Sequence, residues 1–261
     1  MPKADSALSF DHVTRAFAAK GGAPLTAIRD VSFTVAAKEF VAIVGPSGCG
    51  KSTVLNLSAG LDAPSEGIVR VNGETVTGPS AHVGFMLQKD LLLPWRSIIR
   101  NIEFGLETRM ASSNERRERA TRELERCKLT GFADHYPYQL SGGMRQRAAL
   151  ARTLAISPDI VLLDEPFSAL DAQTKMLLQK SFGGTIAASG VTALLITHDL
   201  AEAVAMSDRI LVMSERPGHI IAEIKVDLPG RDNPMARRAN PGAGAYIAHM
   251  LELLKLEDRA A

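Results

Sequence analysis

Only two cysteines, one tryptophan and three tyrosines occur in 261 residues. Two thiols make no disulfide framework, and Cys49 and Cys127 stand in segments that read as a glycine-rich loop and a polar helix, so a reducing compartment is expected. An excess of charge is missing as well: 30 Lys plus Arg against 29 Asp plus Glu leave a formal charge of +1. Nothing therefore points to capture of nucleic acid or of an anionic lipid surface. Long apolar runs are absent too. No stretch reaches the roughly eighteen residues that span a bilayer, and MPKADSALSF at the start lacks the apolar core of a signal peptide. Work at a membrane would need another chain to supply the membrane part. What is present is an ordinary globular mixture, 46% hydrophobic and 23% charged, which suits one large α/β unit with an inserted lobe.

Short β-like runs, LSFDHV and the alternating VSFTV, fill residues 8 to 35 around a glycine-rich turn, AAKGGAP, and suggest an antiparallel sheet. The apolar run FVAIVG (40–45) then breaks into glycines and a helix-like STVLNLSAGL. Two further unbroken apolar strands, IVLLDEP (160–166) and TALLITHD (192–199), end in polar residues, as buried parallel strands do. Their order implies an α/β core with its site at the carboxyl ends of the strands. Between them, approximately 89–157, long polar helices such as SSNERRERATRELERCKL predict a helical lobe inserted into that core. RILVMSERPGHIIAEIKVDL reads as strand, turn and strand, closing a main domain over 1–228. The remainder, 229–261, is a Pro-, Arg- and Asn-rich linker followed by an amphipathic helix, AYIAHMLELLKL, expected to pack.

Gly45-Pro46-Ser47-Gly48-Cys49-Gly50-Lys51-Ser52, followed by Thr53, fits G-x-x-x-x-G-K-[ST] and lies between a strand and a helix, as its mechanism requires. The glycines let the backbone wrap phosphate oxygens, and amides at the helix start direct partial positive charge at them. Lys51 is then expected to bridge the β- and γ-phosphates and Ser52 to place its hydroxyl on Mg²⁺. The motif predicts ATP or GTP binding without separating kinase, GTPase and ATPase. Cys49 is either a small loop residue or a thiol that the surrounding amides make reactive.

Asp164 and Glu165 end a buried strand where a phosphate-loop fold needs a carboxylate for Mg²⁺. Asp164 is expected to hold the ion through its water shell, and Glu165 to polarise the attacking water as general base. His198 ends another such strand and faces the same crevice, within reach of the γ-phosphate. A strand-end histidine alone is more often structural, but beside Glu165 and Lys51 a catalytic role is favoured.

Leu140-Ser141-Gly142-Gly143-Met144 precedes an Ala-rich helix, so Ser141 and the glycine amides form a second anion-binding helix start. With these residues on the page, the chain resembles the ABC ATPase family, whose signature is LSGGQ and whose phosphate loop and strand-end DE match 45–52 and 164–165. The resemblance covers nearly the whole chain to about residue 228. It implies the ABC ATPase fold: a P-loop core with a parallel sheet, an N-terminal antiparallel β subdomain and a helical subdomain. It also implies two subunits packed head to tail, the signature of one closing on the ATP and Mg²⁺ of the other. Gln88 looks like the family glutamine that touches Mg²⁺ and the attacking water. Ser168-Ala169-Leu170-Asp171 looks like the loop that reaches across the dimer, with Asp171 at its end. His198 corresponds to the switch histidine, and Phe17 to the aromatic residue that stacks on adenine, usually a tyrosine. Met144 departs from the commonest signature glutamine; the phosphate contacts come from Ser141 and backbone amides, so activity is expected to survive.

Ser141 follows Lys51 by only 90 positions, 141 minus 51, which leaves no room for the coiled coils of chromosome- and repair-type family members. One copy of each motif excludes the two-domain translation factors, and missing membrane helices argue against an exporter. An importer motor on the cytoplasmic face of the cell membrane remains, with a non-transport ATPase that remodels a protein complex as the alternative. GFMLQKDLLLPWRSIIRNIEFGLE, LSGGMRQR and RPGHIIAEIKVDLP resemble the nitrate, sulfonate and taurine group. That implies a second ATPase subunit, either in a homodimer or as a related chain, together with permease partners, an indirectly coupled solute-binding protein, and a small anionic cargo. Trp95, in the LLPW element, either meets the permease or belongs to the core of the helical lobe.

Overall fold

The computed structural model describes residues 6–18 and 24–257. Residues 19–23, most of the expected glycine-rich turn, lie outside the described residues. Along the chain run β1 (Ser6–Phe17), β2 (Leu25–Ala36), β3 (Phe40–Val44), α1 (Lys51–Ser58), β4 (Glu66–Val71), β5 (Glu74–Thr75) and β6 (Val83–Met86). Helices α2 (Ile98–Glu103), α3 (Ser113–Arg126) and α4 (Gly142–Ala155) follow, then β7 (Ile160–Asp164), α5 (Ala172–Ser189), β8 (Thr192–Ile196) and α6 (Leu200–Met206). Strands β9 (Arg209–Met213) and β10 (Ile220–Lys225) and helices α7 (Pro234–Arg238) and α8 (Ala243–Glu257) complete the order.

The strands form two sheets. One is antiparallel, in the order β2-β1-β4-β5, and the other runs β10-β9-β3-β8-β7-β6. Neighbours from β9 to β6 are parallel, and β10 is an antiparallel edge. Period-two alternation explains why the central strands are apolar throughout. Phe40, Ala42, Val44, Val161, Leu163, Ala193 and Leu195 face a core shared with the helices, whereas Val41, Ile43, Leu162, Leu194 and Ile196 face the antiparallel sheet and α1. Both faces are covered, so the strands have no polar side to show. In the smaller sheet Phe10 stacks on Phe33 with centroids 4.6 Å apart.

Three features go beyond the sequence reading. The antiparallel sheet extends through β4 and β5, whose hairpin turns at Asn72 and Gly73 with φ of 51° and 81°. Positive φ at both central residues is what a two-residue hairpin of this twist requires. The linker after residue 228 contains α7, begun by Pro234, whose fixed φ suits a first helical turn. Arg237 in α7 is buried and donates to the carbonyls of Ser207 and Val226, fastening this segment to the core.

Between β6 and β7 every regular element is helical. Ser112 Oγ caps α3 by accepting from the Glu115 amide at 3.3 Å. Glu123, fully buried, is neutralised by Arg119 and Arg126 at 3.1 and 3.2 Å. Cys127, at the end of α3, is buried, and that burial, with Glu123 nearby, pushes its thiol up to about 12. It stays a protonated, inert core residue.

Candidate functional site

The loop from β3 to α1 wraps the ammonium of Lys51. Its Nζ donates to the carbonyls of Gly45 and Pro46, both at 2.8 Å, and lies 3.7 Å from Cys49 Sγ. Gly50 has φ of 105°, and a Cβ there would run into Ile28 Cγ2, so only glycine admits this approach to β2. A cavity of about 390 Å³ opens on the loop, lined by Ser47, Gly48, Gly50, Lys51, Ser52, Thr53, Phe17 and Glu165, together with Leu25, Ala27 and Arg216. Gly45, Pro46 and Cys49 do not line it; they form the turn against Lys51. Phe17 is no core residue: it is 38% exposed at the cavity, and the Arg15 guanidinium sits 4.5 Å from its ring centroid. Asp62 holds that guanidinium at 2.9 Å.

Cys49 is 1% exposed, which favours the small loop residue over the reactive thiol. Under native conditions iodoacetamide will modify it slowly, and Cys49→Ala will keep ATPase activity within about twofold, since a small-for-small swap opens little space. Rapid alkylation that ATP blocks, followed by peptide mass analysis, would contradict this.

Carboxylates gather at the end of β7. Asp164 is half-buried, and burial, then the neighbouring Glu165, raise its pKa against the opposing pull of Lys51 and the Ser52 hydroxyl that hydrogen-bonds to it. Glu165 turns sharply out of the strand with φ of 44° and donates its amide to the Ile196 carbonyl at 3.0 Å. A left-handed conformation at a non-glycine residue stores strain, and such residues cluster at functional sites. It sends the Glu165 carboxylate toward His198, whose Nδ1 lies 3.1 Å from Oε2. The turn after His198 is held firmly: Asp199 Oδ1 caps α6 at the Glu202 amide, and Lys175 bridges Asp199 and Glu202 at 2.9 and 2.8 Å. Among the described residues no group of three or more His, Cys, Asp or Glu is placed to hold a metal. Ser52 and Asp164 are a hard hydroxyl and a hard carboxylate in contact. That pair fits Mg²⁺, which binds through one or two protein oxygens, substrate phosphates and several waters.

Gln88 follows β6 and joins three segments. Its Nε2 donates to Ser168 Oγ at 3.0 Å, Ser168 Oγ donates to the Glu165 carbonyl at 3.0 Å, and the Gln88 carbonyl accepts from Gln146 of α4 at 3.1 Å. It therefore ties the end of β7 to the helical lobe. Ser141 is the exposed N-cap of α4, its Oγ accepting from the Met144 amide at 3.3 Å. Ser141 and Gly143 line a separate cavity of about 440 Å³ with Met144, Lys128 and Arg147; Gly142 sits between them against Leu170. The two cavities share no residue. Asp171 caps α5 by accepting from the Thr174 amide at 2.9 Å, and these backbone donors lower its pKa. It lines neither cavity. Trp95 is 72% exposed, near exposed Leu91 and Leu87 in sequence.

The turn expected between β9 and β10 is present, but sequence reasoning missed what it touches. Gly218 donates its amide to the Ala27 carbonyl and accepts from the Arg29 amide, both at 2.9 Å, and packs against the backbone of Cys49. Arg216 Nε donates to the Gly48 carbonyl at 2.9 Å. The Arg-Pro-Gly run carried that signal only as a group resemblance.

A model described as "ABC transporter" matches residues 28–168. An uncharacterised ABC transporter ATP-binding protein of Methanocaldococcus jannaschii is 45% identical over 85% of this chain and 82% of its own length. The taurine import ATP-binding protein TauB of Yersinia pestis is 44% identical over 78% and 80%. The nitrate import ATP-binding protein NrtD of Synechocystis is 41% identical over 88% and 86%. Among solved structures, the dimeric ABC transporter cassette MJ0796, in a post-hydrolysis state bound to ADP and Pi, is similar with a TM-score of 0.73 and 33% identity, covering 84% of this chain and 98% of that one. The phosphate loop, the Glu165–His198 pair and these likenesses agree: the chain belongs to the ABC transporter family, as an ATPase subunit of the importer group that includes the taurine and nitrate import ATP-binding proteins.

Proposed function

We propose that this chain is the motor of an importer for a small anion, such as taurine, another sulfonate or nitrate. It works as a head-to-tail homodimer on permease subunits at the cytoplasmic face of the membrane, indirectly coupled to a solute-binding protein. The observation that carries the dimer is the separation of the phosphate loop from the signature start into cavities without a common residue. A helix start built for anions, facing no phosphate of its own subunit, has its use in a second copy.

In that arrangement residues 45–53 hold the phosphates of ATP and Phe17 stacks on adenine, while Ser141, Gly142 and Gly143 of the other copy close over the γ-phosphate. Ser52 and Asp164 would hold Mg²⁺, which would supply charge shielding along the phosphate chain. Glu165 accepts a proton from water as the water oxygen attacks the γ-phosphorus and the bond to the ADP oxygen breaks. His198, against Glu165, fixes the carboxylate and faces the γ-phosphate; Gln88 orients the water. Asp171 and its loop carry the state of one site to the other. Gln88 bound to both Ser168 and the lobe helix α4 links that state to the lobe. Exposed Trp95, Leu91 and Leu87 next to Gln88 offer an apolar surface that suits the permease.

The test is uptake of taurine, an alkanesulfonate and nitrate into proteoliposomes holding this subunit, the permease subunits it co-purifies with and their solute-binding protein. ATP-dependent uptake of one of them is expected. Trp95→Ala will weaken subunit–permease association about tenfold or more, the scale of an aromatic hot spot, while the isolated subunit binds ATP as before. A complex that hydrolyses ATP yet moves none of the three anions would reject this cargo class, and one indifferent to its binding protein would favour the non-transport alternative.

A further inference from the structure

The turn between β9 and β10 reaches the nucleotide cavity from a part of the chain outside the nucleotide-binding motifs. Ser214 Oγ accepts from the His219 amide at 2.9 Å and closes the turn on itself. Gly218 bonds it to one edge of β2 at two points flanking Ile28, the Ala27 carbonyl and the Arg29 amide, in a parallel bridge. Gly218 also presses on Cys49, so the turn touches the antiparallel sheet that carries Phe17 and the phosphate loop at once. From this fixed base the exposed side chain of Arg216 extends over the loop. Its Nε is spent on the Gly48 carbonyl at 2.9 Å, and it lines the same cavity as Phe17, Ser47 and Lys51.

Arg216 and Lys51 are the two cations on that cavity wall. Lys51 is buried against the loop carbonyls, while Arg216 is exposed to solvent. A guanidinium carries five N–H donors in a planar fork, and one bond to Gly48 leaves the terminal nitrogens for an anion. A cation preset at a cavity that takes a polyanion contributes to binding before and after the chemical step, and so acts on affinity more than on turnover.

We propose that Arg216 is a further nucleotide-binding residue, its guanidinium pairing with the phosphate chain of the bound nucleotide while Nε holds Gly48. This rests on the cavity being the ATP site. Both ATP and ADP are ligands of this contact, and the charge of the side chain is what matters. Arg216→Ala will raise KM for ATP and Kd for ADP about five- to tenfold, the loss that one charge-assisted hydrogen bond implies, with kcat within about twofold.

Two further variants separate a phosphate contact from a merely structural one. Arg216→Gln keeps an N–H donor for Gly48 but no charge, and Arg216→Lys keeps charge but not the fork. The proposal expects Arg216→Lys to recover part of the affinity and Arg216→Gln none. The advantage of the native residue will shrink as salt rises from about 0.05 to 0.5 M, because partly exposed charge pairs are screened. The measurement is fluorescent-nucleotide titration of the full chain with Lys51→Ala alongside. Wild-type affinity in Arg216→Gln, or a salt-independent loss, overturns the assignment. If instead Lys51→Ala binds like the native chain, the cavity itself is not the ATP site.

Discussion

Glu165→Gln will bind ATP with native affinity and hydrolyse it about 10²- to 10⁴-fold more slowly, the range that a positioned general base contributes. The substitution is nearly isosteric, so the strained turn at φ of 44° and the amide bond to Ile196 remain available. His198 can still donate to the side-chain oxygen that replaces Oε2. What is lost is the ability to take a proton from water. Lys51, Ser52 and the loop amides are untouched, so affinity holds. Unspent ATP will then keep two copies together, and sedimentation with ATP and Mg²⁺ will show a dimer where the native chain returns to monomer. Turnover within about fivefold of the native chain would remove Glu165 from the base role, and a monomer under the same conditions would count against the composite site.

The candidate site residues were legible because each follows the carboxyl end of an apolar run. The parallel sheet brings β3, β7 and β8 side by side, with Ala42 opposite Leu195 and Leu163 opposite Leu195 in register. Residues just past those strands, Lys51, Glu165 and His198, are therefore neighbours although they are far apart in sequence. The extended antiparallel sheet was also written in the chain: Asn72-Gly73 is a strong hairpin signal, although β5, only two residues long, leaves little strand pattern beside it. Trp95 could not be settled from sequence, since an aromatic residue among leucines suits a core and a socket equally; its exposure of 72% rules out the core. The turn carrying Arg216 and Gly218 was itself legible, but what it packs against was not. Its contacts reach Gly48, Cys49 and Ala27 across at least 168 positions, and nothing local in Arg-Pro-Gly says which backbone it will meet.

Gly218→Ala tests that long-range contact most severely. A Cβ at this position would overlap the carbonyl oxygen of Cys49 and come within 2.8 Å of Met213 Cε. The methionine can move, but the carbonyl belongs to the phosphate loop. Overpacking of this kind costs about 1–3 kcal/mol, and the strain has two outlets: the turn lifts away from β2, or the loop is displaced. Two backbone hydrogen bonds, to Ala27 and from Arg29, oppose the first, so the loop moves. Amides that must converge on phosphate oxygens tolerate little displacement, and ATP affinity will fall about tenfold to hundredfold if most of that strain is relieved at the loop. Gly244→Ala, in α8 with open space around the glycine, is the matched control and will bind ATP as the native chain does. Calorimetry or fluorescent-nucleotide titration measures the difference, and circular dichroism establishes that both variants are folded. A folded Gly218→Ala chain with native ATP affinity would mean that the turn gives way instead, and that the phosphate loop keeps its shape without it.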